Sequence, residues 1–224
     1  MPRNAWQITR EMFLATREVH TLLKTFEQRV RDEAAEPRQA SARTDELIIK
    51  CLLFSGLRNS EFCRLQVGDT IVGVRRSVFA VRGTPREDRT VYVPRSLSRL
   101  VQDYVALVRP GLVPVGVRPK DRQQPLLLNE RGRPYERTAL YRRVVRVLSE
   151  AGLNDRASVQ LLRHTYGYLA YLRTGGNLLF VQRQLGHAHP MVTSIYAQFV
   201  DECYPDLADR LEPAALATEG APGM

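Results

Sequence analysis

The chain has 224 residues, room for one full-sized domain with a sizeable core and a small appendage rather than for two large domains. Hydrophobic residues make up 44% of it, yet no apolar run approaches the roughly 18 residues needed to cross a bilayer, and the N-terminus has no signal-peptide pattern. A cytoplasmic protein with no membrane partner is expected.

The formal charge of +9 is unevenly held. Residues 75–146 carry 17 Lys+Arg against 6 Asp+Glu, whereas residues 201–224 carry 6 acids and a single base, Arg210. A basic middle suits a polyanion and an acidic tail suits a protein contact. A solvated Arg-rich face accounts for the charge alone equally well. Only Lys24, Lys50 and Lys120 among the 33 basic residues are lysines. Cys51, Cys63 and Cys203 are odd in number and lack metal-ligand spacing, so they read as reduced structural thiols, with no metal and no cofactor expected.

In chain order, residues 1–12 are too few for a domain. Thr16, Glu18, Val19, Leu22, Leu23 and Phe26 predict the start of a capped amphipathic helix. Residues 31–43 are polar and read as a helix end and a loop. From Asp45 the apolar set Leu47, Ile48, Cys51, Leu52 and Phe54 predicts a buried helix, interrupted at Gly56 and resumed from Ser60 to Leu65. Residues 70–94 are rich in β-formers separated by Gly73, Gly83 and Pro85, which predicts about three antiparallel strands. Helices are expected again at 95–108, from Pro134 to Gly152, and at 158–174, 177–186 and 190–199, with a Pro/Gly loop over 109–124. A short helix over 205–211 precedes an Ala/Gly/Pro end. The fold class is mainly α with a small antiparallel β-sheet (α+β).

Three segments carry candidate chemistry. In Gly56-Leu57-Arg58-Asn59-Ser60-Glu61 an arginine stands at a helix junction with a carboxylate one turn on, which alone is an ordinary helix pair. Leu162-Arg163-His164-Thr165 is an Arg-His pair that, alone, a core histidine explains. In Leu185-Gly186-His187, Gly186 would end a helix and leave His187 at the turn, with Tyr196 nine residues later. Alone, Tyr196 reads as a core aromatic.

Together and in this order, "GLRNSEFCRL", "LLRHT" and "LGHAHPMVTSIY" resemble the tyrosine recombinases of the phage-integrase type, from about Phe13 to Phe199. The resemblance implies an organisation of a 1–12 extension, a 13–200 catalytic domain of the integrase fold, and an acidic 201–224 tail. It implies that Arg58 and Arg163 clamp the scissile phosphate, that Glu61 holds the family's acidic position, and that His187 bonds a non-bridging oxygen. Tyr196 would be the nucleophile of a 3′-phosphotyrosine link, which stores the bond energy so that rejoining needs no fuel. The clamp suits arginine, whose planar fork meets phosphate oxygens and keeps its charge. Tyr166, Tyr168 and Tyr171 are nearby tyrosines whose spacing suits helix packing.

The sequence departs from the family at three points. Gln160 stands where the family has a histidine that moves the tyrosine proton, and an amide takes no proton near neutral pH. No lysine lies between Lys50 and Lys120, so Arg82 takes the place of the hairpin lysine that protonates the leaving 5′ oxygen, with Arg86 close behind. Arginine is a poor acid. The family's separate core-binding domain has only about 12 residues to match it, so either the chain is a fragment or it grips DNA from one side.

The expected function is a site-specific recombinase or integrase acting on double-stranded DNA, bound to the nucleoid and self-associating as a tetramer, with the tail either packing on a neighbour or simply disordered. Arg75, Arg76, Arg86, Arg89, Arg142 and Arg143 are the candidate DNA-binding residues. The alternative is a DNA-binding protein that kept the fold and lost efficient cleavage. A nicking activity of the topoisomerase kind is a third reading, and a purely protein-interaction domain suits the basic middle least.

Overall fold

The structure, a computed structural model, describes residues 8–33, 37–73, 76–83, 88–189 and 191–199. Eight α-helices and three strands are found among them: α1 (Thr16–Asp32), α2 (Arg38–Ser55), α3 (Asn59–Arg64), β1 (Thr70–Val72), β2 (Ser77–Val81), β3 (Arg89–Tyr92), α4 (Arg95–Asp103), α5 (Arg137–Glu150), α6 (Val159–Arg173), α7 (Leu178–Leu185) and α8 (Met191–Ser194). The fold is mainly α with a three-stranded antiparallel sheet in the order β1-β2-β3, as the sequence pattern predicted. The short helix expected over 205–211 lies outside the described residues. No described helix is long and apolar enough to cross a membrane.

Helix α2 is the axis of the molecule. Leu47, Ile48, Ile49, Cys51, Leu52 and Leu53 cover most of its circumference, and all are buried. A helix apolar all round must be enclosed, and α1, α4, α5 and α6 enclose it. Burial pushes the Cys51 thiol upward, so it is unreactive packing. One boundary here differs from expectation. Residues 38–43 belong to α2 rather than to a loop, because Ala42 and Thr44 are buried against the core despite the polar sequence around them. Helix α1 starts at Thr16, as expected, and the Glu18 carboxylate reaches back to accept from the Ala15 N–H at 2.6 Å. The segment after His187 is also broken, since the helix expected over 190–199 is a four-residue α8 followed by tight turns.

Phe13, Tyr166, Tyr171, Val181, Leu185 and Tyr196 form a second apolar cluster, with Tyr168 half-buried against the Phe13 ring. Thus Tyr166 and Tyr171 are core residues. The Tyr166 hydroxyl donates to Gln184 Oε1. The cluster joins the start of the chain to α6, α7 and the turn after α8, and it places Tyr196 against α6.

Candidate active site

The site is assembled where the α2–α3 junction, α6 and the C-terminal end of α7 meet. Gly56 ends α2 with φ +61, and Gly186 ends α7 with φ +62. Both are left-handed caps that a side chain would strain. Space forbids a side chain as well: a Cβ on Gly56 would stand 2.4 Å from the Tyr166 ring, and one on Gly186 would stand 2.9 Å from Arg89 Nε. These turns turn their carbonyls toward arginines. Arg163 donates to Gly56 O and, at 2.6 Å, to Leu185 O. Arg58 donates to Gly186 O at 2.9 Å. Two guanidiniums distant in sequence are therefore locked into one frame, each spending part of its fork on a carbonyl and keeping further N–H donors.

Glu61 is the counter-charge. Its carboxylate accepts from Arg58 Nη1 at 2.8 Å and from the Arg58 backbone N–H at 2.7 Å, closing a capping box on α3. It also receives a two-pronged contact from Arg89, at 2.7 and 2.9 Å, while Arg89 Nε donates to Gln184 O. Burial alone would raise the Glu61 pKa, but the Arg89 and Arg58 hydrogen bonds and the Arg89 charge hold it down at about 2. Burial, then the neighbouring charge of Arg58, lowers Arg163 to about 9, so it still carries its charge at neutral pH.

Tyr196 is 1% exposed. Its ring lies on Gly167 of α6, where a Cβ would come within 2.3–2.6 Å of the hydroxyl end of the ring. Its hydroxyl shares a 3.1 Å hydrogen bond with His164 Nδ1. Burial raises Tyr196 to about 12, against the opposing pull of Arg163. Burial and the Arg163 charge lower His164. His187 stands at the turn after Gly186, as the spacing predicted, and shares a 2.8 Å bond between Nδ1 and the buried Thr193 hydroxyl. Gln160 is exposed on α6, one turn before Arg163.

The remaining expected residues are dispersed. Arg82 is 68% exposed and paired with Asp69 at 3.0 Å. Arg89, expected on a DNA-facing surface, is inside the site on Glu61, because β3 runs directly beside α7. Arg143, also expected to face DNA, is buried instead, bound to Asp45, Glu130, the Tyr135 hydroxyl and Ser41. Burial works against its charge, but Asp45 and its other partners more than offset this and raise its pKa. Arg76 and Arg142 are exposed. Arg75 and Arg86 lie outside the described residues. Sequence reasoning missed Arg89 as a clamp on Glu61, His164 as the partner of Tyr196, and Gly167 as the space for its ring. The only signal for the last two was their place one and four residues after Arg163. Among the described residues no group of three or more His, Cys, Asp or Glu is placed to hold a metal.

A sequence profile described as the phage integrase family matches residues 12–202. The chain belongs to the phage integrase family. Among curated relatives of this integrase-family chain, the tyrosine recombinase XerC of Nitrobacter winogradskyi is 29% identical over 185 residues, covering 82% of this chain and 55% of the relative. The tyrosine recombinase XerH of Helicobacter pylori is 27% identical over 177 residues, covering 78% of this chain and 44% of the relative. The chain thus spans about half the length of these relatives. Its fold is also that of solved structures. The post-cleavage complex of the XerH site-specific recombinase with its palindromic difH substrate aligns with TM-score 0.69 and 24% identity, covering 90% of this chain and 53% of that one. The catalytic domain of bacteriophage HP1 integrase aligns with TM-score 0.54 and 21% identity, covering 91% of this chain and 96% of that domain. The fold is therefore the integrase catalytic-domain fold.

Proposed function

We propose that this chain is the strand-transfer portion of a site-specific DNA recombinase, with residues 13–200 as its catalytic domain. The observation that carries the reading is the convergence of Arg58, Arg163 and Glu61 from separate segments into one frame, with His187 at its edge and Tyr196 against the same helix as Arg163. Two fixed guanidiniums with spare N–H donors suit the non-bridging oxygens of a phosphodiester, whose charge grows in the transition state. Glu61 keeps those guanidiniums oriented, with Arg89 sharing the carboxylate. Tyr196 attacks phosphorus and forms the 3′-phosphotyrosine link, and the 5′ hydroxyl leaves.

The partner in this reading is double-stranded DNA, held by exposed arginines such as Arg76 and Arg142, with Arg75 and Arg86 as further candidates. Complete recombination would bring four copies together on two sites in the nucleoid of the cytoplasm, the acidic 201–224 tail contacting a neighbour. The test is covalent trapping: incubation with supercoiled plasmid, quenching in detergent, and detection of protein-linked nicked DNA beside Tyr196→Phe. An adduct absent from that variant supports the recombinase.

A second reading, a binder of DNA with weakened cleavage, is favoured by specific observations. Gln160 cannot take a proton, and Arg82 is engaged with Asp69. Salt-sensitive binding with no adduct at any pH would select it.

A further inference from the structure

We propose that His164 accepts the phenolic proton of Tyr196 when the tyrosine attacks DNA, taking over a task that Gln160 cannot perform. The proposal rests on the recombinase reading above. The Tyr196 hydroxyl lies 3.1 Å from His164 Nδ1, a distance at which a proton passes directly. Gly167, one turn further along α6, makes this approach possible, because any Cβ there would occupy the space of the Tyr196 ring and hydroxyl. His164 and Gly167 are three residues apart and share a helix face, so a single rigid element both seats the ring and presents the acceptor.

The other candidates are worse placed. Gln160 carries an amide and is exposed. His187 uses Nδ1 on Thr193. The charged group that acts on His164 is Arg163 beside it on α6, and Arg163 in turn feels Arg58 and Glu61 from the α2–α3 junction and Arg89 from β3. Burial and the Arg163 charge keep the imidazole neutral at neutral pH, so with its proton on Nε2 it can accept at Nδ1. The same positive neighbour disfavours the resulting imidazolium, so the proton is readily given up again.

In the cleavage step the Tyr196 O–H bond breaks and its proton moves to His164 Nδ1. The phenolate oxygen forms the bond to phosphorus, the P–O5′ bond breaks, and the leaving oxygen takes a proton from water. In rejoining, the 5′ hydroxyl attacks phosphorus and gives its proton to solvent, the phosphotyrosine bond breaks, and His164 returns its proton to the Tyr196 oxygen.

The experiment is adduct formation on supercoiled plasmid as a function of pH, with the unmodified chain, Tyr196→Phe, His164→Ala and His164→Gln. The unmodified chain is expected to gain rate with pH through a single inflection below the ordinary histidine value of 6.5 and then level off. His164→Ala and His164→Gln should be slower by about 10²–10⁴-fold and lack that inflection. Added imidazole should restore part of the rate to His164→Ala and none to Tyr196→Phe. Histidine NMR titration would show whether each variant remains folded. Adduct formation by His164→Ala at the unmodified rate, or faster, overturns the proposal alone; a faster rate would mark the contact as a restraint on Tyr196. Absence of adduct from the unmodified chain overturns the recombinase reading and this proposal with it.

Discussion

Replacing Glu61 with Gln tests whether the frame is held by charge. In the native site one carboxylate faces Arg58 and Arg89, with Arg163 close behind. A carboxyl held at about 2 against an ordinary 4.5 corresponds, at about 1.4 kcal/mol per pH unit, to about 3 kcal/mol of stability. Arg58 is partly open to water, which screens its share, so about 2–3 kcal/mol is the working figure. Removing one partner of a buried pair also costs about 3–5 kcal/mol in other proteins, because the remaining charges stay uncompensated. The sign follows from the depressed pKa. The contribution is complete above about pH 4.5 and is lost as pH falls toward about 2. Thermal denaturation of the native chain and of Glu61→Gln from pH 7 to pH 2.5 should therefore show a gap of about 5–10 °C at pH 7 that narrows below pH 4.5. Equal melting temperatures at pH 7, or a gap of constant size down to pH 2.5, would refute an electrostatic frame.

Gly167→Ala should cost about 1–3 kcal/mol by overpacking and dislodge the Tyr196 ring. Spectrophotometric titration, with Tyr196→Phe to assign the signal, should then show one tyrosine moving from about 12 toward 10. Arg143→Ala should lower stability by about 3–5 kcal/mol in urea denaturation, because it leaves Asp45 buried without its closest cation. Arg142→Ala should leave urea stability within about 0.5 kcal/mol and reduce the salt slope of DNA binding by about one. Gly56→Ala should be strongly destabilising by calorimetry, since φ +61 and the Tyr166 ring at 2.4 Å both oppose a methyl group.

Much of the architecture was legible because local patterns carry it. The apolar circumference of α2, the β-formers of residues 70–94 and the glycines after Leu185 and Ser55 each specify a local outcome that neighbours in sequence decide. The three motifs, in their order, were enough to name Arg58, Glu61, Arg163, His187 and Tyr196 as a set. Boundaries were less legible where polar residues face the core, as at 38–43.

Arg89 and Arg143 show the limit. Both sit in a basic stretch, and by composition both read as DNA contacts. Which arginine faces inward depends on where a carboxylate from another element lies, and Glu61 and Asp45 are 28 and 98 residues away from their partners. His164 is a similar case. Its neighbour Arg163 belongs to a recognisable motif, but helical rotation turns His164 toward a tyrosine 32 residues later, and only the packing of that tyrosine on Gly167 makes the two meet. Residue type and spacing thus determined the elements, the family pattern and the charges available. Tertiary structure alone decided which charges are buried in pairs, because the pairing energy depends on distance and desolvation rather than on order along the chain.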